Sequence, residues 1–404
     1  MEKLSTKELI EKSEQYIFST YTRFPIVLTR GEGTKVWDSD GKEYLDFVSG
    51  IAVLNLGHRH PRITEAIHQQ SKLLAHVSNL FYSEPQIRLA ELLVTNSFAD
   101  KVFFCNSGAE ANEAAIKLSR KFFKDKGEPR RYEIITMENS FHGRTMATLS
   151  ATGQEKFHHG FEPLFNGFSY VPFDNPQAVE DAITDATCAV MVEPIQGEGG
   201  VNCPSPDYLK KLRSICDTHG LLLIFDEVQV GMGRTGKLFA HQHYGVAPDI
   251  MTLAKALAGG MPIGAMLATD ECASSFSPGT HASTFGGNPL SCAAGVATVE
   301  TLIEGTILEN CQHMGEYFYS QLLSLSEKRP CIKKVKGKGL ILGIELTCEG
   351  APVVKECAKR GILINCTLGN IVRFLPPLII TKKEIESLIK TLDEVLEHIT
   401  TAFS

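Results

Sequence analysis

Nowhere in this chain does an apolar run reach the length a bilayer-spanning helix needs, so no membrane segment is expected. No low-complexity tract occurs either, which argues against a disordered tail. Lys and Arg residues are dispersed rather than gathered into a stripe, and the net charge is −7, a pattern that speaks against a nucleic-acid surface. A small anionic substrate can still meet a local basic pocket on such a protein. Among the eleven cysteines there is no Cys-x-x-Cys pair, so neither a zinc knuckle nor a redox dithiol is indicated. Cys105, Cys188, Cys216 and Cys357 lie in apolar or helical contexts and read as reduced thiols packed like small hydrophobes. His58-x-His60 and His241-x-His243 lack a third ligand at recognisable spacing, so no metal is expected.

What remains is an ordinary globular composition on a chain of 404 residues, more than one hydrophobic core usually serves. One large and one smaller domain with a cleft between them is the natural expectation. The opening stretch alternates charges within an amphipathic pattern and has no apolar core of signal-peptide type, which makes the cytoplasm the default location.

Short extended runs around Val27, Val36 and Tyr44, punctuated by Gly31, Gly33 and Gly41, have the rhythm of a hairpin. Between about 60 and 300, apolar runs at 102–105, 133–136, 189–192, 221–225, 250–253 and 264–268 alternate with helical patterns. Such alternation predicts an α/β architecture, a mostly parallel sheet with helices on both faces. A long helix over 289–324, a glycine-rich strand pair near 337–346 and a final amphipathic helix over 382–399 read as a smaller α+β lobe, joined by the N-terminal hairpin.

Three strand ends carry chemistry. The run Leu221 to Phe225 leads straight into Asp226 and Glu227, and in a parallel sheet the carboxyl ends of strands face the ligand crevice. A buried carboxylate there needs a cationic or hydrogen-bonding partner, such as a protonated pyridine nitrogen; a helix N-cap is the equally ordinary alternative. Lys255 follows the run 250–253 among small residues, where desolvation would make its amine a nucleophile toward an aldehyde, although a lysine in such a turn is more often a solvated charge. After 102–105, Ser107 and Gly108 open a helix whose free N–H groups suit a phosphate, and Ser107 and Glu110 are also spaced as a capping box.

A competing signal is Gly231-x-Gly233-x-x-Gly236, which fits the dinucleotide fingerprint and would make the chain a nicotinamide oxidoreductase. Residues 237–244 are too few for the crossover helix, and Asp249 precedes the next strand instead of closing it, so that reading is set aside.

Taken together, the segments at 46–53, 106–114, 140–144, 193–200, 225–229, 254–256, 283–289 and 372–377 resemble, in order, those of the class III, or ω-type, aminotransferases of fold type I. The resemblance covers nearly the whole chain. It implies a mostly parallel seven-stranded sheet in a large domain over 56–305, a small α+β domain over 306–404, and residues 1–55 joining the small domain. It implies pyridoxal 5′-phosphate as cofactor, with Lys255 holding its aldehyde and shuttling a proton, and Asp226 on the pyridine nitrogen. Ser107, Gly108, Phe141, Glu227, Val228, Gln229 and Thr284 would complete the cofactor site, Thr284 reaching a neighbouring subunit in a homodimer. Arg144 and Arg373 would grip substrate carboxylates, Glu198 would pair with Arg373 and swing away for a dicarboxylate, and Ser283 and Tyr21 would contact substrate. The implied reaction moves the terminal amine of N2-acetyl-L-ornithine to 2-oxoglutarate. Ornithine, succinylornithine, N-succinyl-diaminopimelate and 4-aminobutyrate are rival donors on the same scaffold.

Overall fold

A computed structural model describes the backbone of residues 4–402 and side chains through residue 398; Met1, Glu2 and Lys3 of the amphipathic opening lie outside the described residues. The opening helix is Thr6–Tyr16, started by Ser5, whose hydroxyl accepts from Glu8 N while the Glu8 carboxylate accepts from Ser5 N.

The central sheet has seven strands in the order Lys101–Cys105, Gly264–Ala268, Ile250–Leu253, Leu222–Asp226, Thr187–Val192, Glu133–Met137 and Phe168–Val171. Gly264–Ala268 runs antiparallel to both of its neighbours and the other six strands run parallel to one another. Strands buried on both faces explain the continuous apolar runs: Thr187–Val192 and Leu222–Asp226 are buried at every position. Phe168–Val171 carries no such run. It is an edge strand, part-exposed except at Val171, and a short polar-interrupted segment offers little periodicity to read.

The expected helix over 289–324 is two helices, Pro289–Glu304 and Ile307–Lys328, bent by 67°. Gly305 is extended at φ −97°, ψ −177°, and this ends the first helix where apolar periodicity alone runs on. No single helix among the described residues is long and apolar enough to cross a membrane.

The second sheet, antiparallel throughout, orders Ile332–Lys338, Ile341–Leu346, Ile371–Phe374 and Asn365–Thr367. The N-terminal strands Leu28–Glu32, Lys35–Asp38 and Glu43–Asp46 form a third sheet, and Glu43–Asp46 pairs in parallel with Ile362–Leu363. One continuous apolar cluster runs from Leu89 and Leu257 beside the central sheet through Phe318 and Phe374 to Leu396 on the last helix, Lys382–Ala402. Val372 and Phe374, on either side of Arg373, therefore share their packing with Met251 and Leu253 of the central-sheet strand that precedes Lys255.

Candidate active site

Because Lys101–Cys105, Leu222–Asp226 and Ile250–Leu253 run the same way, the turns after them emerge on one side of the sheet. They enclose a cavity of about 380 Å³ whose lining includes Ser107, Phe141, Arg144, Glu198, Asp226 and Lys255. Gly108, Val228 and Gln229 also line it.

Asp226 is 3% exposed, and a bare carboxylate so buried would be costly. Its Oδ1 accepts from Val228 N at 3.0 Å, and its Oδ2 accepts from Asn112 Nδ2 at 2.8 Å. His142 Nδ1 lies 2.8 Å from the same Oδ2, and opposite an ionised carboxylate that ring nitrogen carries the proton. Asn112 is itself fixed, its Oδ1 accepting from Thr252 Oγ1 at 2.7 Å and its Nδ2 donating to His142 O at 2.7 Å. Asp226 is thus fixed by hydrogen bonds at both oxygens where it lines the cavity.

Lys255 has φ +44°, which is rare for a residue with a side chain and is held here by the surrounding structure. Burial is the main cause that pulls its ammonium below the ordinary lysine range. The Glu198 carboxylate opposes that shift and the Arg373 guanidinium adds to it. Among the described residues its amine has no hydrogen-bond partner, which leaves a nucleophilic nitrogen facing the cavity.

Ser107 caps helix Gly108–Asp125, its Oγ accepting from Glu110 N at 3.2 Å. The reciprocal half of the expected capping box is shifted by one residue: Glu110 Oε2 accepts from Asn106 N at 2.7 Å. A Cβ on Gly108 would lie 2.7 Å from Val228 Cγ1, so only glycine lets this turn lie against the segment that follows Asp226.

Arg373 is fully buried, and its Nη1 lies 2.9 Å from Glu198 Oε1. Its Nη1 also donates to Gln229 Oε1 at 3.2 Å, while Gln229 Nε2 donates to Glu198 Oε1 at 3.3 Å. With the Asn365 amide turned to satisfy both of its atoms, its oxygen accepts from Arg373 Nη2 at 2.8 Å. Burial pushes the Glu198 carboxyl up, but Arg373 and Lys255, with the hydrogen bonds from Arg373 and Gln229, outweigh it and hold Glu198 below the usual range. Arg144 is exposed at the mouth, its guanidinium 3.9 Å from the Phe157 ring centroid and 5.5 Å from that of Phe141.

Four expected site residues lie elsewhere in this chain. Glu227 does not line the cavity: strand alternation turns its side chain away from Asp226, and its carboxylate accepts from Ala240 N at 2.6 Å and His241 N at 2.8 Å. Burial pushes that carboxyl up to about 8. Tyr21 is 73% exposed, with Arg23 stacked over its ring. Ser283 Oγ accepts from Asn106 Nδ2 at 3.2 Å, just behind the Ser107 turn, and Thr284 is exposed.

Asn112, His142 and Glu193 belong to the site and were not singled out from sequence. Glu193 is 5% exposed and lines the cavity, accepting from Phe141 N at 3.1 Å and Gly197 N at 3.3 Å. One signal was available for Asn112, an amide on the helix face otherwise made of Ala111, Ala114 and Ala115.

The glycine loop at 231–236 packs against the segments around Leu340 and Pro376 and does not open a crossover helix of the kind the dinucleotide fingerprint requires. Only the short turn Ala240–His243 follows it, and Arg234 is buried with Nη1 donating to Leu340 O at 2.9 Å and Pro376 O at 2.5 Å. Among the described residues there is no group of three or more side chains suited to a metal ion.

An amine facing a buried carboxylate, an aromatic ring and a helix N-terminus at the strand ends of this sheet define an enzyme site built for a cofactor with an aldehyde, a basic ring nitrogen and an anionic tail. Residues 16–396 match the family described as Aminotransferase class-III, and the chain belongs to that family, whose cofactor is pyridoxal phosphate. It is 53% identical over 392 residues, 97% of this chain and 100% of the relative, to a protein named acetylornithine aminotransferase from Caldanaerobacter subterraneus subsp. tengcongensis. It is 51% identical over 98% of its length to the whole of the protein so named from Methanocaldococcus jannaschii. Among solved structures, ornithine aminotransferase from Toxoplasma gondii ME49 is similar at a TM-score of 0.96 and 34% identity, covering 99% of this chain and 97% of that one. Acetylornithine aminotransferase from Elizabethkingia anophelis is similar at 0.88 and 36%, covering 98% of this chain and 100% of that one.

Proposed function

We propose that this enzyme transfers the terminal amine of N2-acetyl-L-ornithine to 2-oxoglutarate, giving N-acetyl-L-glutamate 5-semialdehyde and L-glutamate, a step of arginine biosynthesis. The observation that carries the reading is a buried guanidinium, Arg373, already paired with Glu198, a carboxylate that lines the same cavity as Lys255. A donor with one carboxylate binds through Arg144 and leaves that pair intact; a dicarboxylate takes Arg373 from Glu198. Two substrates of different charge can then use one pocket in turn. The relatives named acetylornithine aminotransferase, about half identical over nearly their whole length, favour this donor over ornithine or 4-aminobutyrate.

The residues present fit pyridoxal phosphate. Lys255 supplies an unpaired amine for its aldehyde, Asp226 a buried carboxylate for its ring nitrogen and Phe141 a flat apolar face. The N–H groups at the start of the helix at Gly108 and the Ser107 hydroxyl suit its phosphate, and Val228 and Gln229, which line the cavity, would help hold its ring, Gln229 with an amide able to hydrogen-bond the phenolic oxygen. When bound, the cofactor supplies an electron-withdrawing ring that stabilises negative charge developing on the substrate carbon. Asp226 holds a proton on the ring nitrogen, Lys255 Nζ takes and returns the proton of the substrate carbon, and Arg144 orients the carboxylate.

Exposed Leu80, Phe81, Tyr82, Ile87 and Phe285 support a homodimer, since a monomer rarely leaves so much large apolar surface to water. Exposed Thr284 then reaches the phosphate of the neighbouring subunit. Sedimentation is expected to give twice the mass of the 404-residue chain; a monomer at micromolar concentration would remove this part of the reading.

The test of substrate choice is a comparison of kcat/KM for acetylornithine, succinylornithine, ornithine and 4-aminobutyrate with 2-oxoglutarate. A preference for any donor other than acetylornithine rejects the assignment. Arg144→Ala is expected to raise the KM for acetylornithine by about 100-fold, the loss of a charge-assisted bidentate contact worth roughly 2–3 kcal/mol. An unchanged KM would take Arg144 out of the carboxylate site.

A further inference from the structure

The amide of Gln229 is placed to do more than border a cofactor ring. Its two ends bridge the buried pair: Oε1 accepts from Arg373 Nη1 at 3.2 Å, and Nε2 donates to Glu198 Oε1 at 3.3 Å. The same Arg373 nitrogen and the same Glu198 oxygen face each other at 2.9 Å, so three side chains close a triangle. A neutral amide has an acceptor at one end for the cation and a donor at the other for the anion, so it satisfies both without adding charge.

The triangle exists only because residue 197 has no side chain. A Cβ on Gly197 would stand 1.8 Å from Gln229 Oε1 and 2.6 Å from its Cδ, and Gly197 does not sit in the left-handed backbone region, so close approach alone demands glycine there. A residue at 197 with any side chain would push the amide out of the triangle while leaving Gln229, Glu198 and Arg373 chemically unchanged.

We propose that Gln229 is a positioning residue that clamps the Glu198–Arg373 pair shut and so sets how readily the pocket accepts a second carboxylate. This rests on the reading of Arg373 as a carboxylate site given above. A dicarboxylate binds only after Glu198 has left Arg373, and Gln229 Nε2 then loses its acceptor as well. The apparent affinity for a dicarboxylate is therefore reduced by the small fraction of molecules in the open arrangement, whereas a monocarboxylate that uses Arg144 binds the closed one. Removing the clamp raises the open fraction and tightens only the dicarboxylate. A residue that served the cofactor alone would, when replaced, change both ligands alike.

Two unreactive ligands separate these cases by calorimetry on the cofactor-loaded enzyme: glutarate, with two carboxylates, and N2-acetyl-L-norvaline, the donor without its amine. Gln229→Asn, whose shorter amide reaches neither partner, is expected to bind glutarate about tenfold more tightly, a change of about 1.4 kcal/mol, with N2-acetyl-L-norvaline unchanged. Gly197→Ala, which displaces the amide without altering it, is expected to give the same shift, so either variant suffices if the other does not fold. Equal changes for the two ligands, no change, or weaker glutarate binding would overturn the clamp. Failure of the unsubstituted enzyme to bind glutarate at all would overturn the carboxylate reading of Arg373 together with it.

Discussion

Lys255→Ala is expected to lower kcat by at least about 10⁴-fold, since one amine is both the attachment for the cofactor aldehyde and the acid/base group. The fold is expected to survive. Lys255 makes no hydrogen bond or ion pair among the described residues, and its charged form is disfavoured by burial, so its removal leaves no stranded partner. The backbone at φ +44° accepts alanine about as readily as lysine. Melting followed by circular dichroism should show a transition within a few degrees of the unsubstituted protein. Reduction with borohydride should fix the cofactor to the unsubstituted chain at Lys255 and leave the variant unlabelled. Transamination retained at more than about one part in a thousand would refute the role given to this residue.

Asp226→Asn carries the second largest effect. The amide is isosteric but holds no negative charge for a protonated ring nitrogen, and kcat is expected to fall by about 10²–10³-fold while KM for the substrates moves little. Asp226 Oδ2 also accepts from Asn112 Nδ2, with His142 Nδ1 beside it. An amide NH₂ there would face two donors, and turning it round would set it against Val228 N. Destabilisation of about 1–3 kcal/mol is therefore expected besides the catalytic loss, measurable as a lower urea midpoint with an unchanged slope. A variant with kcat within tenfold of the original would mean that Asp226 is a structural cap and that another group protonates the ring.

These two residues were legible in the sequence because each follows a short, mostly apolar strand run, and a run buried on both faces of a parallel sheet delivers the polar residue after it to the crevice. Ser107 and Gly108 were legible for a related reason, the strand before them and the helix after. The edge strand Phe168–Val171 was not, because half-exposed strands of four residues have too few positions for a pattern. Nor was the break between the helices at Pro289–Glu304 and Ile307–Lys328, where Gly305 and Thr306 interrupt a periodicity that otherwise continues. Glu227 shows the limit of arguing from adjacency. It neighbours Asp226 in sequence, and the alternation of side chains along an extended backbone sends the two carboxylates to opposite sides.

By itself, then, the order of residues determined the α/β alternation and the strand ends at which Asp226 and Lys255 stand, since each follows from the pattern within one segment, while the roles of those two residues came from the resemblance of segments spread along the chain. Tertiary structure alone decided that Asn112 and His142 hold Asp226, that Glu193 joins the turns at Phe141 and Gly197, and that Gln229 closes a triangle with Glu198 and Arg373. Asn112 lies 114 positions from Asp226 and Gln229 lies 144 from Arg373, and at such separations no local pattern records a partner. Only tertiary packing, of the helix Gly108–Asp125 on the central sheet for one pair and of the strand Ile371–Phe374 beside the turn after Asp226 for the other, brings those side chains within hydrogen-bond reach.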